Sequence, residues 1–143
     1  MNGSGLATVA AVHLGATWFM VGLIWTIHVV HYPLFSLVAE PYQPFQEAHM
    51  ARITRLLVLP WGVETVTAIA LVMLTTGAER SLALLGLGLL VAVVLVTGLL
   101  AAPIHGRLVA HFDAGLHDRL LRVDLIRTVL WTGRGAVALL LVL

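Results

Sequence analysis

The residues of this chain with the clearest chemical potential are its histidines, of which there are seven. His28 and His31 are three residues apart, and on a helix this spacing turns both imidazoles toward one centre. His13 precedes them in the same apolar stretch, and His49 and His105 occur later in the chain. Neutral imidazole, with a carboxylate nearby, suits iron, zinc, manganese or copper, and histidine pairs also ligate haem iron. His28, His31, His49 and His105 are therefore candidate metal ligands.

Two charged residues, Glu64 and Arg134, interrupt apolar segments and form a second candidate site. An unpaired charge at membrane depth is costly, so we predict that the two contact each other directly or through one water. Asp124, Arg127 and Trp131 share a helix face with Arg134, because the spacings from 124 to 134 are three, four and three. The pair is a candidate for catalytic proton handling or charge balance. The alternative is a structural ion pair that fixes helix packing.

Composition excludes several classes of chemistry and of partner. Of the 143 residues, 60% are hydrophobic and only 10% are charged, and the formal net charge of +1 gives no indication of a nucleic-acid partner. The chain has no cysteine, which excludes disulfides, iron–sulfur clusters and thiol catalysis. All basic residues besides histidine are arginines, so lysine-dependent Schiff-base chemistry is excluded as well.

The candidate residues lie in or beside four apolar segments, at about 6–38, 56–76, 82–104 and 123–143. About 20 residues cross the hydrocarbon core, and short connections favour antiparallel neighbours. The sequence therefore predicts one domain over residues 1–143, an all-α integral membrane protein with four helices in an up-and-down bundle.

The connections on one side of this bundle predict short interfacial helices. Residues 45–55 follow two prolines and could also begin the second helix. Apolar residues recur every four positions over 108–122, a pattern typical of a helix on the membrane surface. His111 and His117 would then lie on its solvated side.

The arginines predict the orientation. Five lie in the connections between segments one and two and between three and four, and only Arg80 lies on the other side. The five are Arg52, Arg55, Arg107, Arg119 and Arg122. By the positive-inside rule, both connections are cytoplasmic and both termini are external, in a bacterial cytoplasmic membrane.

This topology places several histidines at one depth. The first segment descends to His31 and the third to His105, so both are expected near the cytoplasmic face. We predict that His31 and His105 ligate a shared cofactor, either haem b or a non-haem iron or other transition metal. His28 or His49 would complete the site, with Glu64 deeper in the membrane.

The stretch AVHLGATWFMVGLIWTIHVVHYPLF, residues 11–35, resembles the first helix of HemJ-type protoporphyrinogen oxidases and related CopD-like membrane proteins. The resemblance implies a four-helix protein that binds haem b, with His13 at the position of the family's first-helix histidine and Trp18 and Gly22 matching its tryptophan and glycine. That family relies on a lysine in its last helix, which this chain lacks. The chain also resembles uncharacterised bacterial four-helix proteins with an HYPLF-like segment, and small anthrone-oxygenase-like membrane proteins.

These observations favour a membrane redox protein whose histidine-bound cofactor acts on a lipophilic small molecule, such as a quinone, that enters from the lipid bilayer. Two alternatives remain open. The chain could be a non-catalytic accessory subunit of a larger membrane complex, or a small proton or ion carrier. Its possible protein partners are further copies of itself or the subunits of such a complex. The redox hypothesis is favoured because ionisable groups within membranes generally have a functional role.

Overall fold

The computed structural model describes residues 3–38 and 40–143, and helices account for nearly all of them. The α-helices are α1 (Gly3–Thr26), α2 (Tyr42–Leu74), α3 (Gly77–Val96), α4 (Ala102–Leu108) and α5 (Ala114–Leu140). A π-helical turn, Ile27–His31, extends α1 and is followed by a 3₁₀ helix, Pro33–Leu37. A second π-helical turn, Thr97–Ala101, joins α3 to α4. The described residues contain no strand, which agrees with the predicted all-α class.

Two of the long helices begin earlier than the apolar pattern predicts. The second begins at Tyr42 rather than near 56, so residues 45–55 are its first turns, as one of the two interpretations expected. Pro44 is tolerated there because the first turn of a helix needs no intrahelical N–H donor.

The separate surface helix predicted over 108–122 is wrong. Asp113 caps a new helix by accepting a hydrogen bond from the Leu116 N–H at 2.7 Å, and this helix continues without a break to Leu140.

The long helices pack in a ring in which α1 and α3 each contact both α2 and α5. Gly135 of α5 packs closely against α1: a Cβ atom there would lie 3.1 Å from Val21 Cγ2. The end of the molecule with the 38–41 connection and the 109–113 turn, which we call the histidine end, has an apolar core built around Phe35, Tyr42 and Leu108. Two further apolar clusters follow toward the other end.

The distribution of polarity is the reverse of that in a water-soluble bundle. Large apolar side chains are exposed, among them Val58, Leu59, Val66, Met73 and Leu99. Charged and polar side chains are buried, among them Glu64, Asp124, Arg127 and Arg134.

Three helical stretches, Ser4–Leu37, Tyr42–Leu74 and Gly77–Leu108, are long and apolar enough to cross a membrane. The helix α5 lies outside that set because it contains Asp124, Arg127 and Arg134. All three side chains are buried, while Leu125, Ile126 and Val129 of α5 are exposed.

Candidate functional site

The predicted contact between Glu64 and Arg134 is confirmed. Their side chains form an ion pair, and both residues are almost completely buried. Arg134 Nη1 also donates to the Gly86 carbonyl of α3. Because charges in a low-dielectric interior must be paired and hydrogen-bonded, these contacts stabilise both residues there. Glu64 Oε2 and Arg134 Nε are buried without a hydrogen-bond partner among the described residues.

His13 belongs to the same central cluster. Its Nδ1 lies 3.0 Å from Thr67 Oγ1, and Thr17 Oγ1 lies 3.5 Å from its Nε2. Thr17 in turn donates to Glu64 Oε1 at 3.4 Å. The central cluster therefore consists of His13, Thr17, Glu64, Thr67 and Arg134. With the Gly86 carbonyl, it includes groups from α1, α2, α3 and α5.

Three of the predicted ligands meet at the histidine end. His31 Nε2 and His49 Nδ1 are 2.9 Å apart, and the rings of His49 and His105 have centroids separated by 5.4 Å. Phe35 packs edge-on against His31 and His49. The Nε2 atom of His49 is buried without a hydrogen-bond partner in the part of the chain that the structure describes. The closest pair of ring nitrogens in this cluster is therefore His31 Nε2 and His49 Nδ1.

His105 is held by hydrogen bonds at both ring nitrogens. Gln46 Nε2 donates to Nδ1 at 3.0 Å, and Tyr32 Oη lies 2.8 Å from Nε2. Gln46 Nε2 also donates to the His105 carbonyl at 3.5 Å, and because a carbonyl can only accept, this contact fixes the sense of the Gln46 amide. Tyr42 Oη then donates to Gln46 Oε1 at 3.4 Å. Because Nδ1 accepts, a neutral His105 carries its proton on Nε2 and donates to the Tyr32 oxygen.

His28 faces away from this cluster. Its Nδ1 lies 3.1 Å from Asp124 Oδ2, and the other carboxylate oxygen of Asp124 accepts from Arg127 Nη1 at 3.2 Å. The spacing of three residues therefore does not bring His28 and His31 to one centre. The chain between them is π-helical, and the wider turn changes the angle between the two side chains.

The expectation that His117 is solvated is wrong. The residue is buried, and its Nε2 donates to the Tyr32 carbonyl at 2.8 Å. The surface position predicted for His111 agrees with its exposed side chain. His117 is enclosed because α5 begins at Ala114 and its first turns pack against the 3₁₀ helix.

A cavity of about 280 Å³ lies beside His105, between α2 and the π-helical turn Thr97–Ala101. Ile27, Ile53, Leu57 and Trp61 are among its apolar lining residues. Its polar lining includes Tyr32, Thr97, His105 and Arg127. Val58 of α2 and Ala102 of α4 also line it and are exposed, so the cavity opens on the side of the molecule.

Two of the residues that line the cavity each carry a buried polar atom without a partner. Thr97 Oγ1 and Arg127 Nε have no hydrogen-bond partner among the described residues. Arg127 is only 6% exposed. Buried polar groups are normally hydrogen-bonded, so both atoms are exceptions, but neither has accessible surface through which it could reach a molecule in the cavity.

The remaining haem candidates do not join these residues. Trp18 is 44% exposed and packs beside Gly135, and His13 is in the central cluster. Neither lines the cavity. Among the described residues, no group of three or more histidine, aspartate or glutamate side chains has the geometry to hold a metal ion.

Sequence reasoning missed Gln46, Tyr32 and Asp124 as site residues. An Asp within an apolar segment was a sufficient signal for Asp124, but Gln46 and Tyr32 become informative only once His105 is known to contact them.

In comparisons with known proteins, the chain matches no protein-family model, no curated protein and no solved structure.

Proposed function

We propose that this chain is an integral membrane protein, a four-helix up-and-down bundle that binds a lipophilic small molecule. The reversed polarity supports membrane insertion: exposed Leu, Val and Met side chains suit hydrocarbon, whereas Glu64 and Arg134 are enclosed and paired. Packed between α1 and α3, α5 can cross the bilayer with its charges directed inward and its exposed Leu, Ile and Val side chains directed to lipid.

The exposed arginines support the orientation inferred from the sequence. Arg52, Arg55, Arg107, Arg119 and Arg122 are exposed near the histidine end, and Arg80 is exposed near the start of α3. Arg127 and Arg134 are buried and do not count toward the bias. The histidine end is therefore proposed to be cytoplasmic, with both termini external.

The cavity between α2 and the π-helical turn Thr97–Ala101 is the single observation that carries the binding function. Ligand sites are mostly apolar pockets with a few convergent polar groups, and this cavity combines Ile53, Leu57 and Trp61 with Arg127 and His105. Its side opening at Val58 and Ala102 would face lipid, so a molecule dissolved in the bilayer could enter without crossing water. Its volume, about 280 Å³, suits a small ring system rather than a haem.

Redox chemistry on the bound molecule is the second part of the proposal, and His31 with His49 supports it. Two nitrogens 2.9 Å apart need to separate by only a few tenths of an ångström to share one ion with bonds of about 2.0–2.1 Å. A bound iron or copper would supply electron transfer. The engaged nitrogens of His105 and the Asp124 contact of His28 fit this ligand set less well.

The binding function can be tested by narrowing the mouth of the cavity. Ala102→Trp places a large ring at an exposed rim position, and Ala136→Trp makes the same change at an exposed position of α5 that does not line the cavity. We expect Ala102→Trp to weaken binding of 1,4-naphthoquinone in lipid nanodiscs at least tenfold and Ala136→Trp to leave it unchanged. Equal binding by both variants and the parent would place the ligand elsewhere and refute the proposal.

A further inference from the structure

A groove of about 220 Å³ lies on the outer surface at the histidine end, between α4 and α5. It shares no lining residue with the cavity beside His105. Ile104 of α4 and Val123 of α5 line the groove and are buried, and both belong to the apolar core of this end. The groove is therefore a separate feature of the surface, and its floor is apolar.

The polarity of the groove changes in the same direction on both of its walls. Arg107 and Arg119, which are exposed, line it near the 109–113 turn. Leu99 and Leu100, which are also exposed, precede Arg107 by two helical turns and lie about 10–12 Å farther from that turn. On the α5 wall, Arg119 is likewise followed by the apolar Val123. The groove thus joins a cationic end to an apolar stretch that leads toward the middle of the molecule.

The cationic end of the groove has no counter-ion within the described chain. Arg107 and Arg119 take part in none of the ion pairs among the described residues. Asp118 precedes Arg119 in the sequence but does not line the groove. Two guanidinium groups along one groove repel each other, and an anion in contact with both would be attracted by both. Phosphate suits this position because a guanidinium group can donate two parallel hydrogen bonds to its oxygens.

We propose that this groove binds an anionic phospholipid, whose phosphate contacts Arg107 and Arg119 and whose acyl chain follows Leu99 and Leu100. Basic pockets between transmembrane helices bind anionic headgroups in this way. A zwitterionic lipid fits less well, because its ammonium group would lie near two guanidinium groups with no carboxylate among the described lining residues. The inference rests on the membrane insertion proposed above, but not on ligand binding in the cavity.

Native mass spectrometry of the full chain in a neutral detergent tests this inference with phosphatidylglycerol, phosphatidylcholine and glycerol phosphate as probes. The two lipids carry the same acyl chains, so they differ only in the headgroup. We expect phosphatidylglycerol to bind about 30-fold more tightly than phosphatidylcholine, since each arginine near an anionic headgroup contributes about fivefold. Glycerol phosphate, which lacks acyl chains, should bind more weakly than phosphatidylglycerol because it gains nothing from the apolar part of the groove.

Two double variants with the same change in net charge locate the site. Arg107→Gln/Arg119→Gln removes both arginines of the groove, and Arg52→Gln/Arg55→Gln removes two exposed arginines of α2 that do not line it. The first variant should lower the affinity for phosphatidylglycerol about 30-fold, to that for phosphatidylcholine, and the second by less than about twofold. All of these positions are exposed, so we expect both variants to fold, and their thermal unfolding midpoints check this.

Several results would overturn the inference. Equal losses in the two double variants would indicate a general attraction of the lipid to the basic end of the molecule. Equal affinities of the parent for the two lipids would show that the arginines do not select a headgroup, and equally tight binding of glycerol phosphate would indicate a site for soluble anions. A dimer that dissociates only in Arg107→Gln/Arg119→Gln would show that a second copy covers the groove. If neither lipid binds and the chain stays soluble without detergent, the proposed membrane insertion fails as well.

Discussion

The carboxylate of Glu64 and the guanidinium of Arg134 pair across the centre of the molecule, although their helices, α2 and α5, are separated by α1 and α3. Neither charge reaches the surface of the molecule, and Arg134 also donates to the Gly86 carbonyl of α3. A pair in this position links opposite sides of the helix ring. It therefore constrains how far each helix can rotate or slide.

The energetic coupling of this pair can be measured with a double-mutant cycle. Glu64→Leu or Arg134→Met alone leaves one buried charge without its partner, which should lower the free energy of unfolding by about 3–5 kcal/mol. The double variant should lose clearly less than the sum of the two. Equilibrium unfolding in mixed micelles provides the values, and Glu79→Leu at an exposed position is the uncoupled control. Additive losses would show that the two side chains do not interact.

The close contact of α1 and α5 makes a prediction about two neighbouring glycines. In Gly135→Ala the new methyl would lie 3.1 Å from Val21 Cγ2, and overpacking of this kind should destabilise by about 1–3 kcal/mol. In Gly133→Ala the nearest atom is Leu89 Cδ1 at 3.8 Å, an ordinary contact, so the higher helix propensity of alanine should be neutral or stabilising. Thermal unfolding of both variants provides the measurement, and equal midpoints would contradict the packing argument.

The sequence was sufficient to predict the helical class and the Glu64–Arg134 contact, because both depend on rules of local composition and depth. It was not sufficient to predict helix starts. Apolar counting misses the polar first turns of α2 and α5, which fold because Pro41 and Asp113 precede them and because residues such as Tyr42 and Leu120 are buried.

The features of the candidate site that the sequence did not predict were missed for a different reason. His28 and His31 were expected to face one centre because an α-helical period was assumed, but the π-helical turn directs His28 to Asp124. The cavity could not be predicted at all, since its walls come from several elements that are distant in sequence, among them α2, the π-helical turn Thr97–Ala101, α4 and α5. Neither the path of a π-helical turn nor the gap between packed helices follows from hydropathy.

The proposed orientation predicts the locations of two parts of the chain. A reporter fused after Leu143 should be active only outside the cytoplasm. The same reporter inserted in the 109–113 turn should be active only inside, since the exposed arginines are concentrated at the histidine end. A fusion after Leu143 that is active in the cytoplasm would reverse the proposed orientation. The cavity opening would then lie nearer the external face.

The last prediction concerns which histidines hold a cofactor. His31 Nε2 and His49 Nδ1 are 2.9 Å apart and could share one ion, whereas both nitrogens of His105 are engaged by Gln46 and Tyr32. We therefore expect His31→Ala and His49→Ala to abolish binding of added iron or copper. His105→Ala should reduce it less, and His111→Ala, at an exposed position, should have no effect.

Metal content by mass spectrometry and the absorption spectrum of the purified protein provide the measurement. A Soret band lost only in His13→Ala would show that the HemJ-like resemblance is the better guide and that the cofactor is a haem in the central part of the bundle. If the parent protein holds neither haem nor metal after purification with both added, the redox part of the proposal fails. Quinone binding in the cavity, measured separately, would then decide whether the chain is a lipophile-binding protein without a cofactor.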